Sequence, residues 1–99
     1  MALAHRGIAM SKHTPGPWAY QEDSDAYTHI VRGPNNRFIC QLNQSTSAEI
    51  EANARLIAAA PELLSALQVA ELALRERGLR TCGEYKQIEA ALAKATGEA

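Results

Sequence analysis

His13, Thr14 and Trp18 fall within one six-residue stretch, His13-Thr14-Pro15-Gly16-Pro17-Trp18, and Trp18 is the chain's single tryptophan. An imidazole, a hydroxyl and an indole on a backbone stiffened by two prolines suit a ligand-contact loop. The indole offers a face for stacking, and all three offer polar atoms for orientation. The same stretch suits a structural clamp equally well. The prolines lower the entropy of the unfolded chain, Gly16 permits close backbone approach, and Trp18 covers the core where a sheet begins. A second set lies in Ala52–Leu64, "ANARLIAAAPELL". Asn53 shares a helical stripe with Ile50 and Ile57, so it is expected to face inward, where its amide needs partners. Those partners are a strand edge, the His13–Trp18 backbone or a ligand. Arg55 lies off that stripe, placed to pair with a carboxylate or to reach a ligand. His13, Thr14, Trp18, Asn53 and Arg55 are therefore the candidate ligand-binding residues. Aromatic stacking with guanidinium contacts fits a small anionic, nucleotide-like molecule.

Other chemistries find little footing. His5, His13, His29, Cys40 and Cys82 do not have zinc-ligand spacing, and no Cys-x-x-Cys or His-x-x-x-His occurs. No metal and no cofactor is expected. No glycine-rich segment has the form of a phosphate cradle. Nothing nominates a nucleophile with its base, so no catalytic residue is assigned and the chain is read as a non-enzyme. Glu71, Glu76, Glu84 and Glu89 read as solvated helix faces. Arg75, Arg77 and Arg80 read as complements to a helix C-terminus, or as an anion or acidic-partner surface.

These residues must be held by a small body. Ninety-nine residues make one domain with a thin core, and the apolar share of 46% is rich in alanine. A net charge of −1 supplies no field for nucleic acid or an anionic membrane, and neither is an expected partner. No apolar run is long enough to span a bilayer. Seven arginines against three lysines suit planar recognition of carboxylates and phosphates, and they equally reflect a GC-rich genome. Two cysteines make no disulfide framework, which favours a cytoplasmic setting with free thiols. Residues 1–12 are expected as a flexible extension, with Met10 as an alternative start, and 13–99 as a single domain.

Period-two patterning predicts three strands. "WAYQE" places Trp18 and Tyr20 on one face; "YTHIVR" places Tyr27, His29 and Val31 on one; "RFICQL" places Phe38, Cys40 and Leu42 on one and Ile39 on the other. "GPNN", Gly33–Asn36, is a hairpin turn in which Asn35 or Asn36 takes the left-handed region, and "DSDA", Asp23–Ala26, is a weaker turn. Thr46 and Glu49 form a capping box for a first helix running to about Ala59. Pro61 ends that helix and opens a second, with Leu63, Leu67, Ala70 and Leu74 at helical spacing and Gly78 as its stop. A third helix, about Glu84–Thr96, carries Tyr85, Ile88, Leu92 and Ala95 on one stripe and stops at Gly97; it forms a hairpin with the second. The expected fold is α+β: a three-stranded antiparallel meander followed by three α-helices packed on one face. Lean burial and short edges favour a homo-oligomer, with a dimer first.

"SKHTPGPW", a hairpin turn and "ANARLIAAAPELLSAL" resemble a recurrent family of small proteins encoded by tailed bacteriophages and prophages. The similarity covers most of Ser11–Gly97. The resemblance carries no catalytic residues. It implies a short accessory protein of the infected bacterial cytoplasm, acting against host defences. One route is sequestration of a nucleotide second messenger. The other is direct inhibition of a bacterial defence protein in the manner of an anti-CRISPR. A virion or replication accessory with no ligand is the remaining implication.

Overall fold

The computed structural model describes residues 12–23, 28–42 and 47–98. Three strands, β1 (Ala19–Asp23), β2 (Thr28–Arg32) and β3 (Phe38–Leu42), precede three helices, α1 (Ser47–Ala58), α2 (Ala60–Glu76) and α3 (Gly83–Thr96). The expected α+β fold, an antiparallel meander followed by helices, is the fold observed. The strands pair antiparallel in the order β1-β2-β3, so β2 is central. The chain divides into two compact units, His13–Glu62 and the helices from Leu63 onward.

In the sheet unit, Tyr20 pairs with Val31, and Val31 with Cys40. Directly opposed residues share a face. α1 packs on β2 and β1. The core of this unit is Val31, fully buried, with Ile50 and Ala54 of α1, and His29 is 6% exposed in the same layer. Burial of Ile50 and Ala54, four residues apart, defines the inward stripe of α1.

Two expectations change here. Asn53 is exposed rather than inward. The narrow sheet takes a stripe centred on Ile50 and Ala54, and position 53, about 100° from Ala54, falls off its edge. Phe38 does not share a face with Cys40 and Leu42. Val31 opposes Cys40 while the next residue, Arg32, opposes Phe38, so Ile39 is an extra residue in β3. This bulge transfers Phe38 to the face of Arg32, and it is 55% exposed there.

The β2–β3 connection follows the turn chemistry. Pro34–Asn36 forms a 3-10 turn, and both Asn35 (φ 60°) and Asn36 (φ 62°) take the left-handed region. Asparagine is the non-glycine residue best suited to that conformation. The Gly33 amide donates to the Arg37 carbonyl at 2.7 Å, closing the turn. Residues 24–26 of the expected Asp23–Ala26 turn, Thr46 of the capping box and residues 1–11 of the N-terminal extension lie outside the described residues.

In the helical unit, both helices end as glycine predicts. Gly78 (φ 74°) closes α2, with the Leu79 amide donating to the Leu74 carbonyl at 2.9 Å and the Gly78 amide to that of Arg75 at 3.1 Å. Gly97 (φ 79°) closes α3 in the same way, through Glu98 to Ala93 at 2.8 Å and Gly97 to Lys94 at 3.4 Å. Both are Schellman closures. Tyr85 is buried on the predicted stripe of α3, but Ala95 at its end is exposed. Leu63, expected on the packed face of α2, is 48% exposed. Leu67, Ala70 and Leu74 of the expected stripe are partly buried, and Leu64, Glu71 and Arg75 beside them are too.

Candidate functional site

The arm before β1 is built around one carbonyl. Trp18 Nε1 donates to the Thr14 oxygen at 3.1 Å, and His13 Nδ1 lies 2.8 Å from the same oxygen. The His13 ring meets the Trp18 indole edge-on, with centroids 6.2 Å apart. The indole N–H thus finds its acceptor inside the arm. His13 is exposed, and Thr14 and Trp18 are half-buried. The Gly16–Pro17 peptide bond is cis.

Two glycines let the arm seat. A Cβ at Gly33 would come 3.0 Å from Thr14 Cγ2 and 3.5 Å from both Ile39 Cδ1 and Trp18 Cδ1. Thr14 and Trp18 therefore close over the start of the hairpin turn. A Cβ at Gly16 would come 2.9 Å from Pro61 Cβ. Pro61, buried in the first turn of α2, needs no backbone N–H partner there.

Arg55 belongs to a different cluster. Its guanidinium lies 5.9 Å from the Tyr20 ring centroid and 3.4 Å from Glu51 Oε2. Tyr20 Oη is 2.7 Å from His29 Nδ1, and the two rings stack at 5.8 Å and 13°. His13, Thr14 and Trp18 are thus assembled together, Arg55 sits over Tyr20, and Asn53 faces outward from α1. Sequence reasoning missed Tyr20, which lies under Arg55, and His29, which stacks on Tyr20. Strand alternation gave each residue's face within its own strand, but the register that sets Tyr20 opposite Val31, and so on the face of His29, was not readable.

A third cluster lies in the helical unit, and here Glu71 is not a solvated helix face. Tyr85 Oη donates to Glu71 Oε2 at 2.5 Å, and Arg75 Nη2 donates to Glu71 Oε1 at 2.9 Å. The Tyr85 hydrogen bond, with the Arg75 pair behind it, outweighs burial and holds the Glu71 carboxyl below the usual carboxylate range. The same hydrogen bond raises the Tyr85 hydroxyl, and burial adds to this. Burial also raises the Cys40 thiol. Cys82 is not merely a loop residue: it is the N-cap of α3, and its Sγ accepts from the Tyr85 amide at 3.4 Å. Among the described residues, no three His, Cys, Asp or Glu side chains group as metal ligands would.

Residues 9–99 match the family model of Salmonella phage P22 protein Y8K6. The chain belongs to this phage protein family. No curated protein and no solved structure matches it. Family membership supports the phage origin that the resemblance implied. In this member of the P22 Y8K6 family those two segments touch, through Gly16 and Pro61. Among the described residues, no single helix is long and apolar enough to cross a membrane.

Proposed function

We propose that this phage protein is a non-enzymatic accessory that binds a host protein and inhibits it, as a counter-defence factor in the cytoplasm of the infected bacterium. The observation that carries the reading is the surface of the arm and its hairpin. His13, Arg37 and Phe38 are exposed there, and Trp18 is half-exposed. Aromatic and arginine side chains on a stiff backbone are the composition from which binding hot spots are made. The turn hydrogen bonds and the Trp18–Thr14 contact supply the stiffness, so little ordering entropy is lost on binding.

Sequestration of a small anionic signal is the less supported alternative. It needs convergent polar groups in a concavity, whereas Arg55 is engaged by Glu51 and Tyr20 and Asn53 points away. The reading also has the protein act as a homodimer. Among the described residues of α2 and α3, only Pro61 and Tyr85 are buried, and a second copy would supply further burial.

Affinity capture from host lysate tests the reading. A specific host protein should be retained by wild type, lost with Phe38→Asp and kept with Val69→Asp, which also replaces an exposed apolar side chain but lies on α2. Capture indifferent to Phe38→Asp refutes the surface. Calorimetry with cyclic nucleotides decides for the alternative if it returns saturable heats. Sedimentation of wild type as a monomer at all concentrations removes the dimer.

A further inference from the structure

Both oxygens of the Glu71 carboxylate are occupied, one from each side of a helical hairpin. Oε2 accepts the Tyr85 hydroxyl of α3 and Oε1 accepts the Arg75 guanidinium of α2. The Glu71 side chain is 19% exposed and that of Arg75 33%, and Tyr85 is 5% exposed. Tyr85 is held at its other end as well, since its amide donates to Cys82 Sγ. It is the only buried side chain of α3 among the described residues. The polar bridge therefore closes on the residue that carries the packing of α3.

We infer that Glu71 is an acid-released latch across the α2–α3 hairpin. The charged groups around it favour the carboxylate: Arg75 on its own helix and Arg80 in the turn both stabilise the anion, and Glu89 of α3 acts on Tyr85. Protonation removes the charge that draws Arg75 and converts a charge-assisted hydrogen bond from Tyr85 into a neutral one of roughly half the strength. The carboxyl in the folded chain lies below its ordinary value of 4.5. A group lowered on folding adds stability that is complete above its unfolded value and disappears as pH falls through its folded one. The latch is therefore shut at neutral pH and released in acid, below 4.5.

Thermal melts by far-UV circular dichroism, between pH 7 and pH 2.5, test this on the full chain. Glu71→Gln keeps the shape and removes the charge. At pH 7 the variant should melt about 5 °C or more below wild type. The gap should close as pH falls through the range in which the wild-type carboxyl takes its proton. A gap of constant size across pH overturns the latch, because a merely packing role would not titrate. No gap at pH 7 overturns it as well. If Glu71→Gln does not fold, Tyr85→Phe should show the same closing gap. Carbon-13 titration of the wild-type Glu71 carboxyl needs no variant: a midpoint below 4.5 supports the latch, and one at or above it refutes it.

Discussion

Gly16 rests against Pro61. A methyl group at position 16 would stand 2.9 Å from Pro61 Cβ, nearer than real Cβ atoms come to a neighbouring carbon. Forty-five residues separate the two in sequence. The contact binds the arm ahead of the sheet to the corner where α1 gives way to α2. It explains why an alanine-rich corner carries a proline and why a proline-rich arm carries a glycine.

Gly16→Ala should destabilise the protein by about 1–3 kcal/mol, the usual cost of overpacking. The crowding atoms belong to the Pro61 ring and not to the far end of a flexible chain, so relaxation is limited. Gly83→Ala is the control. Nothing lies within 4 Å of a Cβ there, and the substitution should be neutral or stabilising by about 0.4–1 kcal/mol. Urea unfolding of the two variants side by side measures the difference. Equal stability would mean that the arm is not seated on Pro61.

Trp18→Phe should cost about 0.5–1.5 kcal/mol, the net worth of one hydrogen bond, because it removes the donor to the Thr14 carbonyl and keeps most of the ring. Trp18→Ala should cost more, since it also removes the side chain lying against Gly33. Denaturation followed by circular dichroism ranks the two. An alanine variant as stable as wild type would remove the arm from the stabilising framework.

The inward stripe of α1 can be read by substitution. Ile50→Ala should cost about 2–4 kcal/mol, as large-to-small changes in a core do. Asn53→Ala should fall within about 0.5 kcal/mol of wild type, as surface changes do. A large loss at Asn53 would restore the inward amide that the apolar spacing suggested.

That contrast shows how far the chain could be read. Strand alternation, the Gly33–Asn36 turn, the proline corner and the two glycine stops were all legible, because each depends on backbone chemistry local to a few residues. Asn53 and Phe38 were not. The α1 stripe rotates by one position according to what it packs on, and periodicity alone leaves that choice open. The extra residue at Ile39 reverses the face of Phe38, and no composition signal announces it. Glu71 was hidden for a similar reason. Its partner Tyr85 lies fourteen residues away on another helix, and a glutamate four residues before an arginine looks like any exposed pair.

Gly78→Ala should cost about 1–2 kcal/mol, because a side chain is strained at φ 74° although nothing crowds the position. Asn35→Val should cost a similar amount, for the same reason at φ 60°, and Asn35→Gly should be nearly silent. Melting temperatures of the three variants check this. A tolerated valine would show that the hairpin turn can adopt another conformation.

The bulge at Ile39 also bears on how the protein behaves when it is abundant. Among the described residues no further strand lies beyond β1 or β3, and an open sheet edge is a template on which fibrils grow. One supernumerary residue breaks the regular ladder of β3 and adds local twist, a feature that blunts a sheet edge against pairing with a neighbouring copy.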